Sequence, residues 1–321
     1  MSTHSSKVDE FASLFRSSLR PHIEVDKLPL SRVLVLLDSE GLQAKREAVV
    51  AITADMADRF RVDVHLLAPV QRLQREVQVN TNRADELLAE ALKMVREAGP
   101  RQKITGEVIV DSTVRAVLTS VKSYKPDLVI LSSLLGECDE DLEGYSLGSA
   151  VDRILNSLAI PILLIEGPVA DIGRLWSDIL VYVESQETVT PCFSATRSLA
   201  VKGAQVELLH VLDEHWLQQL RTGLALTREV GTDASYDAIR TSLKEQIQHY
   251  LEAAVEALDR TGHNTTFEIL EGDPIDITRQ RIRSRQYGLL ICNSSAPDEK
   301  LVDSIAYNLA AYLREVPLLL V

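Results

Sequence analysis

Unbroken apolar runs and helix-spaced apolar stripes take turns along this chain. The run RVLVLL, Arg32 to Leu37, is closed by Asp38 and the polar loop Ser39-Glu40-Gly41. A run of this kind is the pattern of a parallel strand covered on both faces. Val49, Ile52, Met56 and Phe60 follow on one helical stripe, and Val64 to Ala68, VHLLA, predicts the second strand. The alternation continues with a helix striped by Ala84, Leu88, Ala91 and Val95 and stopped at Gly99-Pro100, and then a strand over Glu107 to Val110. A helix through Val114, Val117 and Val121 leads to a strand over Leu128 to Leu131, and a helix through Val151, Ile154 and Leu158 leads to a fifth strand, PILLI, opened by Pro161. Strand and helix in regular alternation predict a doubly wound α/β sheet.

After Glu166-Gly167-Pro168 and a short linker holding Trp176, the same order begins again. ILVYV, from Ile179, repeats the first strand and VELLHVL, from Val206, the second. Ile239, Leu243, Ile247, Ala254 and Leu258 stripe a long helix, and Phe267 to Leu270 and Leu289 to Cys292 are the next strands. GSAVDRILNSLAIPILLI, from Gly148, aligns without a gap on SIAYNLAAYLREVPLLLV, from Ser304, setting Pro161 over Pro317. The pattern predicts an N-terminal extension over 1–30 and two repeated domains, 31–168 and 175–321, each with a five-stranded parallel sheet flanked by helices. Each copy ends in an apolar strand that would otherwise be an exposed edge, so the copies are expected to pack together as an internal pseudo-dimer. Val8, Phe11, Leu14, Phe15 and Leu19 gather on one side before Pro21 and predict an amphipathic helix. Its apolar face suits the protein's own body or a second copy, with an external protein partner or a membrane surface as the alternative.

Composition narrows the function classes. Apolar residues make up 45% and charged residues 25%, an ordinary globular balance. Lys plus Arg is 34 and Asp plus Glu 47, a net charge of −13 that repels a phosphate backbone and argues against nucleic acid as a general partner. Cys138, Cys192 and Cys292 lie far apart with no CxxC spacing, which fits neither a disulfide framework nor a zinc site and suits a reducing cytoplasm. No uncharged apolar run reaches the roughly 18 residues of a membrane span, and the N-terminus has no continuous apolar core of a signal peptide. The expected location is cytoplasmic.

VLVLLD at Val33 to Asp38, VHLLAPV from Val64, PDLVILSS from Pro126, LGSAVDRILNSLAIPILLI from Leu147, and LLHVLDE and EGDPIDI in the second copy together resemble a tandem universal stress protein, from about Ser31 to Val321. The resemblance implies a cytoplasmic stress-response protein with five-stranded parallel sheets, adenine-nucleotide binding (ATP, ADP or AMP, with Mg²⁺ where a triphosphate binds) and dimerisation through the last strand. The family's nucleotide signature is two glycines three apart, nine further residues, and then Gly followed by Ser or Thr at a helix start. Gly148-Ser149 matches the final pair, Asp38 stands where the family's first-strand Asp meets the nucleoside, and Gly136 stands near the first glycine, one residue short in spacing. Asp139 occupies the second glycine's place. In the second copy the pair becomes Ser304-Ile305, Glu184 replaces the Asp, and the preceding loop has no glycine, so that copy is read as degenerate. Two readings of Gly148-Ser149 stand side by side: a helix N-terminus that holds phosphate, and an N-capping turn in which Ser needs no ligand.

Other constellations have bland explanations. His210, Asp213 and His215 could ligate a metal, but alternation at a strand end sends neighbouring side chains to different faces. Arg279, Arg281, Arg283 and Arg285 could face a phosphate, but in so acidic a chain they read as a solvated face. No GxSxG, HExxH, P-loop or Rossmann GxGxxG is present, so the expectation is a non-enzymatic binding protein, with weak ATP hydrolysis the lesser option. The alternative is a nucleotide-independent scaffold or adaptor for a protein partner. Glu137, Asp139, Glu140, Asp141 and Glu143 crowd the loop where phosphate would lie, so any ATP affinity is expected to be weak, confined to the first copy and strengthened by Mg²⁺.

Overall fold

The apolar runs become the strands of one sheet in the computed structural model, which describes residues 23–39, 41–71, 77–133, 135, 147–169, 171–186, 188–226, 232–294 and 304–321. The first half supplies β1 (Arg32–Leu36), β2 (Asp63–Val70), β3 (Ile104–Val110), β4 (Leu128–Leu131) and β5 (Ile162–Leu164). Between them run α1 (Gln43–Arg59), α2 (Val77–Ala98), α3 (Thr113–Tyr124) and α4 (Ser149–Leu155). A linker turn, α5 (Ile172–Leu175), leads to β6 (Asp178–Tyr182), α6 (Thr190–Leu199), β7 (Gln205–Asp213), α7 (Glu214–Leu226) and α8 (Thr232–Asp259). The second half closes with β8 (Asn264–Gly272), α9 (Pro274–Ser284), β9 (Leu289–Cys292), α10 (Ile305–Tyr312) and β10 (Leu318–Leu320). The expected N-terminal helix and the acidic loop from Gly136 to Gly144 lie outside the described residues.

Strand order is β3-β2-β1-β4-β5-β10-β9-β6-β7-β8. Every pair within a half is parallel. The two halves are not separate sheets, however: β5 and β10 pair antiparallel, with Leu163 opposite Leu319, and make one ten-stranded sheet. The internal symmetry reaches single hydrogen bonds. Val129 N–H donates to the Pro161 carbonyl at 3.0 Å and Leu290 N–H to the Pro317 carbonyl at 3.0 Å.

Unbroken runs follow from burial on both faces. Val33, Val35 and Leu37 enter a core with Val49, Ile52 and Met56 of α1, Leu88 of α2, Phe193 of α6 and Leu251 of α8. Leu34 and Leu36 enter the opposite core with Val117 of α3, Ile154 of α4, Ile282 of α9 and Leu309 of α10. Each such side chain contributes about 1.5 to 3 kcal/mol. Helix ends are set locally. Lys125 takes the left-handed conformation (φ 52°) after α3, and Pro126 forbids continuation. Asp273 accepts from Ile275 and Asp276 N–H, both at 2.9 Å, to start α9.

Contacts at three further places tie the halves. Leu28 N–H donates to Ser198 Oγ at 2.7 Å, and Arg197 donates to the Val25 carbonyl, so the segment leading into β1 lies on α6 of the other half. On the opposite face Tyr307 OH donates to Asp152 Oδ1 at 2.9 Å, joining α10 to α4. In the linker Trp176 is fully buried, donates to Asp55 Oδ2 at 2.6 Å and meets Phe60 edge-on at 5.0 Å.

The linker turn also passes hard against Gly288, where an added Cβ would lie 1.9 Å from the Arg174 carbonyl oxygen. Gly288→Ala is therefore expected to lose about 2 kcal/mol or more in urea unfolding. Gly223→Ala, in α7 with open space around it, should be neutral or gain up to about 1 kcal/mol.

Candidate functional site

Polar groups gather where the strand order of the first half reverses, between β1 and β4. Extending the pairing of Val35 with Ile130 by three residues sets Asp38 level with Ser133. Extending that of Leu131 with Leu164 by two sets Ser133 level with Glu166. Registered neighbours on parallel strands share a face, so Asp38, Ser133 and Glu166 form a row across the carboxyl ends of β1, β4 and β5, on the side where α4 lies. Ser39 and Ser132 beside them are buried.

The β1–α1 loop holds Asp38 at one end of this row. Arg46 Nη1 donates to the Asp38 carbonyl at 3.1 Å and to the Gly41 carbonyl at 3.0 Å. The Asp38 carboxylate folds over Gly41, where an added Cβ would come within 2.3 Å of Oδ2, so a larger residue there would displace the carboxylate.

Lys45, in the first turn of α1, reaches over the strand ends although it sits in the apolar stripe of its helix. It is 9% exposed, and its ammonium donates to Ser133 Oγ at 3.3 Å and stands 4.0 Å from Glu166 Oε2. Ser133 in turn donates to Glu166 Oε2. The Glu166 side chain is 1% exposed, and its other oxygen, Oε1, has no hydrogen-bond partner among the described residues. Burial pushes its carboxyl above the ordinary carboxylate range, against the opposing pull of Ser133, Lys45 and Arg314. Arg314 belongs to the second half and acts here because the antiparallel seam sets the approach to β10 beside the exit from β5.

Gly148 and Ser149 open α4. The cap is Gly148, not Ser149: Ser149 is the first helical residue, and glycine brings no side chain of its own to cap with. The capping-turn reading of Ser149 is corrected accordingly. Gly148 has φ 93° and ψ 146°, a conformation essentially restricted to glycine, which is a local reason for glycine whatever binds there. The equivalent Ser304 has φ −79°, and its hydroxyl accepts from Tyr307 N–H at 3.1 Å, an ordinary side-chain cap. The first turn of α6 carries Thr190, Pro191 and Cys192 where α1 carries Lys45. Gly136 lies outside the described residues.

The other constellations find local partners. The Val183 carbonyl can only accept, so His210 Nδ1 donates to it at 2.7 Å, and burial lowers the affinity of the ring for a second proton. Asp213 accepts from His215 N–H at 2.8 Å, and His215 Nε2 meets Gln219 at 2.8 Å. Among the described residues no group of three His, Cys, Asp or Glu side chains is placed to hold a metal ion. The arginine run lies at the surface, with Arg283 and Arg285 exposed and Arg279 and Arg281 half-buried, and it is also engaged in ion pairs. Arg281 pairs with Glu207 and Glu268 at 2.6 Å, Arg283 with Glu315 at 2.8 Å, and Arg285 with Glu207, a carboxylate buried in β7 that cannot stand there alone. Among the described residues no helix is long and apolar enough to cross a membrane.

The whole arrangement superposes on a universal stress protein from Archaeoglobus fulgidus DSM 4304. The match covers 92% of this chain and 97% of that one, with a TM-score of 0.60 at 14% identity. The chain has the universal stress protein fold, in two copies. A functionally unknown protein from Pseudomonas aeruginosa PAO1 matches 92% of this chain and 93% of its own length, with a TM-score of 0.55 at 13% identity. No protein-family model and no curated protein sequence matches the chain. In this universal stress protein fold the two carboxyl-end crevices differ in chemistry: among the described residues, the buried lysine belongs to the first.

Lys45, Ser133 and Glu166 are absent from the expected site. Their signal is present in the sequence: a lysine in phase with Val49, Ile52 and Met56, and a glutamate directly after an apolar strand. Because the fold favours protonated Glu166, its contribution to stability is full below the ordinary glutamate value and is lost as pH rises through the higher folded value. Glu166→Gln should therefore raise the melting temperature at pH 8 and leave it unchanged near pH 4. A lower melting temperature for the variant at pH 8 would show that the ion pair outweighs burial.

Proposed function

We propose that the chain acts as a tandem universal stress protein that binds an adenine nucleotide at the carboxyl end of the first half, in a cytoplasmic stress response, without turning it over. One observation carries this reading: at the strand-order reversal, where open α/β sheets take ligands, the first half concentrates Asp38, Ser133, Glu166 and a buried Lys45 at the ends of the wholly apolar strands β4 and β5 and of β1 beside them. Asp38 would accept from the ribose hydroxyls. Gly148 and Ser149 would meet the phosphates through main-chain N–H groups, with Gly136 as the resemblance implies, and Mg²⁺ would accompany a triphosphate. Ser133, the hydroxyl beside both a lysine and a carboxylate, is 2% exposed, which closes it to a substrate and favours binding over catalysis. The second half, with Ser304 capping its own helix, would serve as structural support and as a surface for self-association or a protein partner.

Calorimetric titration with ATP, ADP and AMP, with and without Mg²⁺, tests the reading. One nucleotide per chain is expected. Gly148→Ala should weaken binding tenfold or more, because alanine cannot hold the observed backbone conformation. Ser304→Ala should lose about 1 kcal/mol of stability with its cap and bind as the wild type does. Two nucleotides per chain, or full affinity in Gly148→Ala, would contradict the assignment. Absence of any binding would leave the scaffold or adaptor role.

A further inference from the structure

The Lys45 cluster has more hydrogen-bonding capacity than its surroundings use. An ammonium group has three N–H donors. Here one of them has a single hydroxyl acceptor at 3.3 Å, and the carboxylate at 4.0 Å is beyond hydrogen-bond reach. Ser133 can accept from Lys45 because its own proton goes to Glu166. The chain of contacts Lys45 to Ser133 to Glu166 ends on Oε1, a buried carboxylate oxygen with no partner among the described residues. Buried charges in native proteins are paired and hydrogen-bonded. A lysine placed in the core stripe of its helix, reaching past the strand ends and held by one long bond, is arranged for an acceptor that arrives with a ligand.

We propose that Lys45 is the cationic ligand for the phosphoryl end of the nucleotide, and that Ser133 and Glu166 hold its ammonium at the strand ends until a polyphosphate takes over as its partner. This rests on the nucleotide reading of the first half and extends it to a preference: the crevice takes di- and triphosphates over the nucleoside. Asp38 cannot supply that preference because it carries the sign of the ligand, and Arg46 is engaged with two carbonyls of the β1–α1 loop. The Lys45 ammonium lies at the carboxyl ends of β4, the strand that leads to α4, and β5, beside Ser133 and Glu166. Glu166 opposes the same phosphate by charge, so its role is to hold the lysine, not to bind the ligand.

A merely structural ion pair and a ligand lysine predict different outcomes. If the cluster only stabilises the fold, removing either partner acts in the same direction. If Lys45 is the ligand, the two removals have opposite signs for ATP. The full-length chain and its variants are titrated with adenosine, ADP and ATP at pH 8. Lys45→Met is expected to bind ADP and ATP at least tenfold more weakly with adenosine affinity unchanged, the loss of one charge-assisted hydrogen bond. Lys45→Arg should restore part of the difference, and Glu166→Gln should bind ATP at least as tightly as the wild type. Should Lys45→Met fail to fold, Lys45→Gln removes the charge and keeps a donor for Ser133, and makes the same comparison. Equal ATP affinity in wild type and charge-removed variants, or weaker ATP binding in Glu166→Gln, overturns the role of Lys45 while leaving the nucleotide reading intact. A wild type that binds neither adenosine nor nucleotide overturns both.

Discussion

The antiparallel pairing of β5 with β10 is the contact on which the rest of this molecule depends. Each half is a parallel sheet of five strands whose last strand is short and wholly apolar, ILL in one and LLL in the other. Left alone, either would expose unpaired N–H and C=O groups along a hydrophobic edge. Pairing them removes both edges at once and joins the two cores on each face of a continuous sheet. Because the pairing is antiparallel, the carboxyl ends of the two halves point in opposite directions, so the two strand-order reversals lie at opposite ends of the sheet. The same geometry brings the approach to β10 beside the exit from β5, which is why Arg314 of one half acts on Glu166 of the other.

Two equivalent crevices have diverged under that symmetry. The first needs a Gly-only conformation at its helix start and holds a buried lysine, serine and glutamate at its strand ends. The second has an ordinary serine cap, and its Ser294 hydroxyl donates to the Val321 carbonyl at 3.0 Å. The second half still contributes to the first: Tyr307 anchors Asp152 of α4, and α6 receives the segment that leads into β1. Loss of a ligand signature in one copy is thus compatible with that copy remaining necessary to the shape of the other.

Strands buried on both faces write themselves plainly into sequence, since no polar position interrupts them, and Val33 to Leu37, Leu128 to Leu131 and Leu289 to Cys292 were legible for that reason. β3 and β8 were legible only in part. They are the sheet edges, half-exposed, and extend to Ile104 and Asn264 through residues such as Thr105 and Thr266 that carry no apolar signal. That the two halves meet was legible from their two apolar last strands; that those strands pair antiparallel, Leu163 opposite Leu319, and make one continuous sheet is not encoded in periodicity. At the site, Asp38 and Gly148 were legible through resemblance. Lys45, Ser133 and Glu166 were not, because their meaning comes from register across three strands. The surface placement of the arginines after GDPIDI was legible, but the ion pairs of Arg281 and Arg285 were not, because their partner, Glu207, lies far away in sequence on β7.

The central claim is that the β5–β10 seam makes the two halves one cooperative structure. Native-state hydrogen exchange of the β5 and β10 amides tests it most directly, with β1 and β6 as internal references. The seam amides are expected to exchange only through global unfolding, at the same free energy as β1 and β6, while the edge strands β3 and β8 open earlier. Seam amides that exchange at a clearly lower free energy than β1 and β6, with each half keeping its own protection, would show two independent domains lying side by side and would contradict this account.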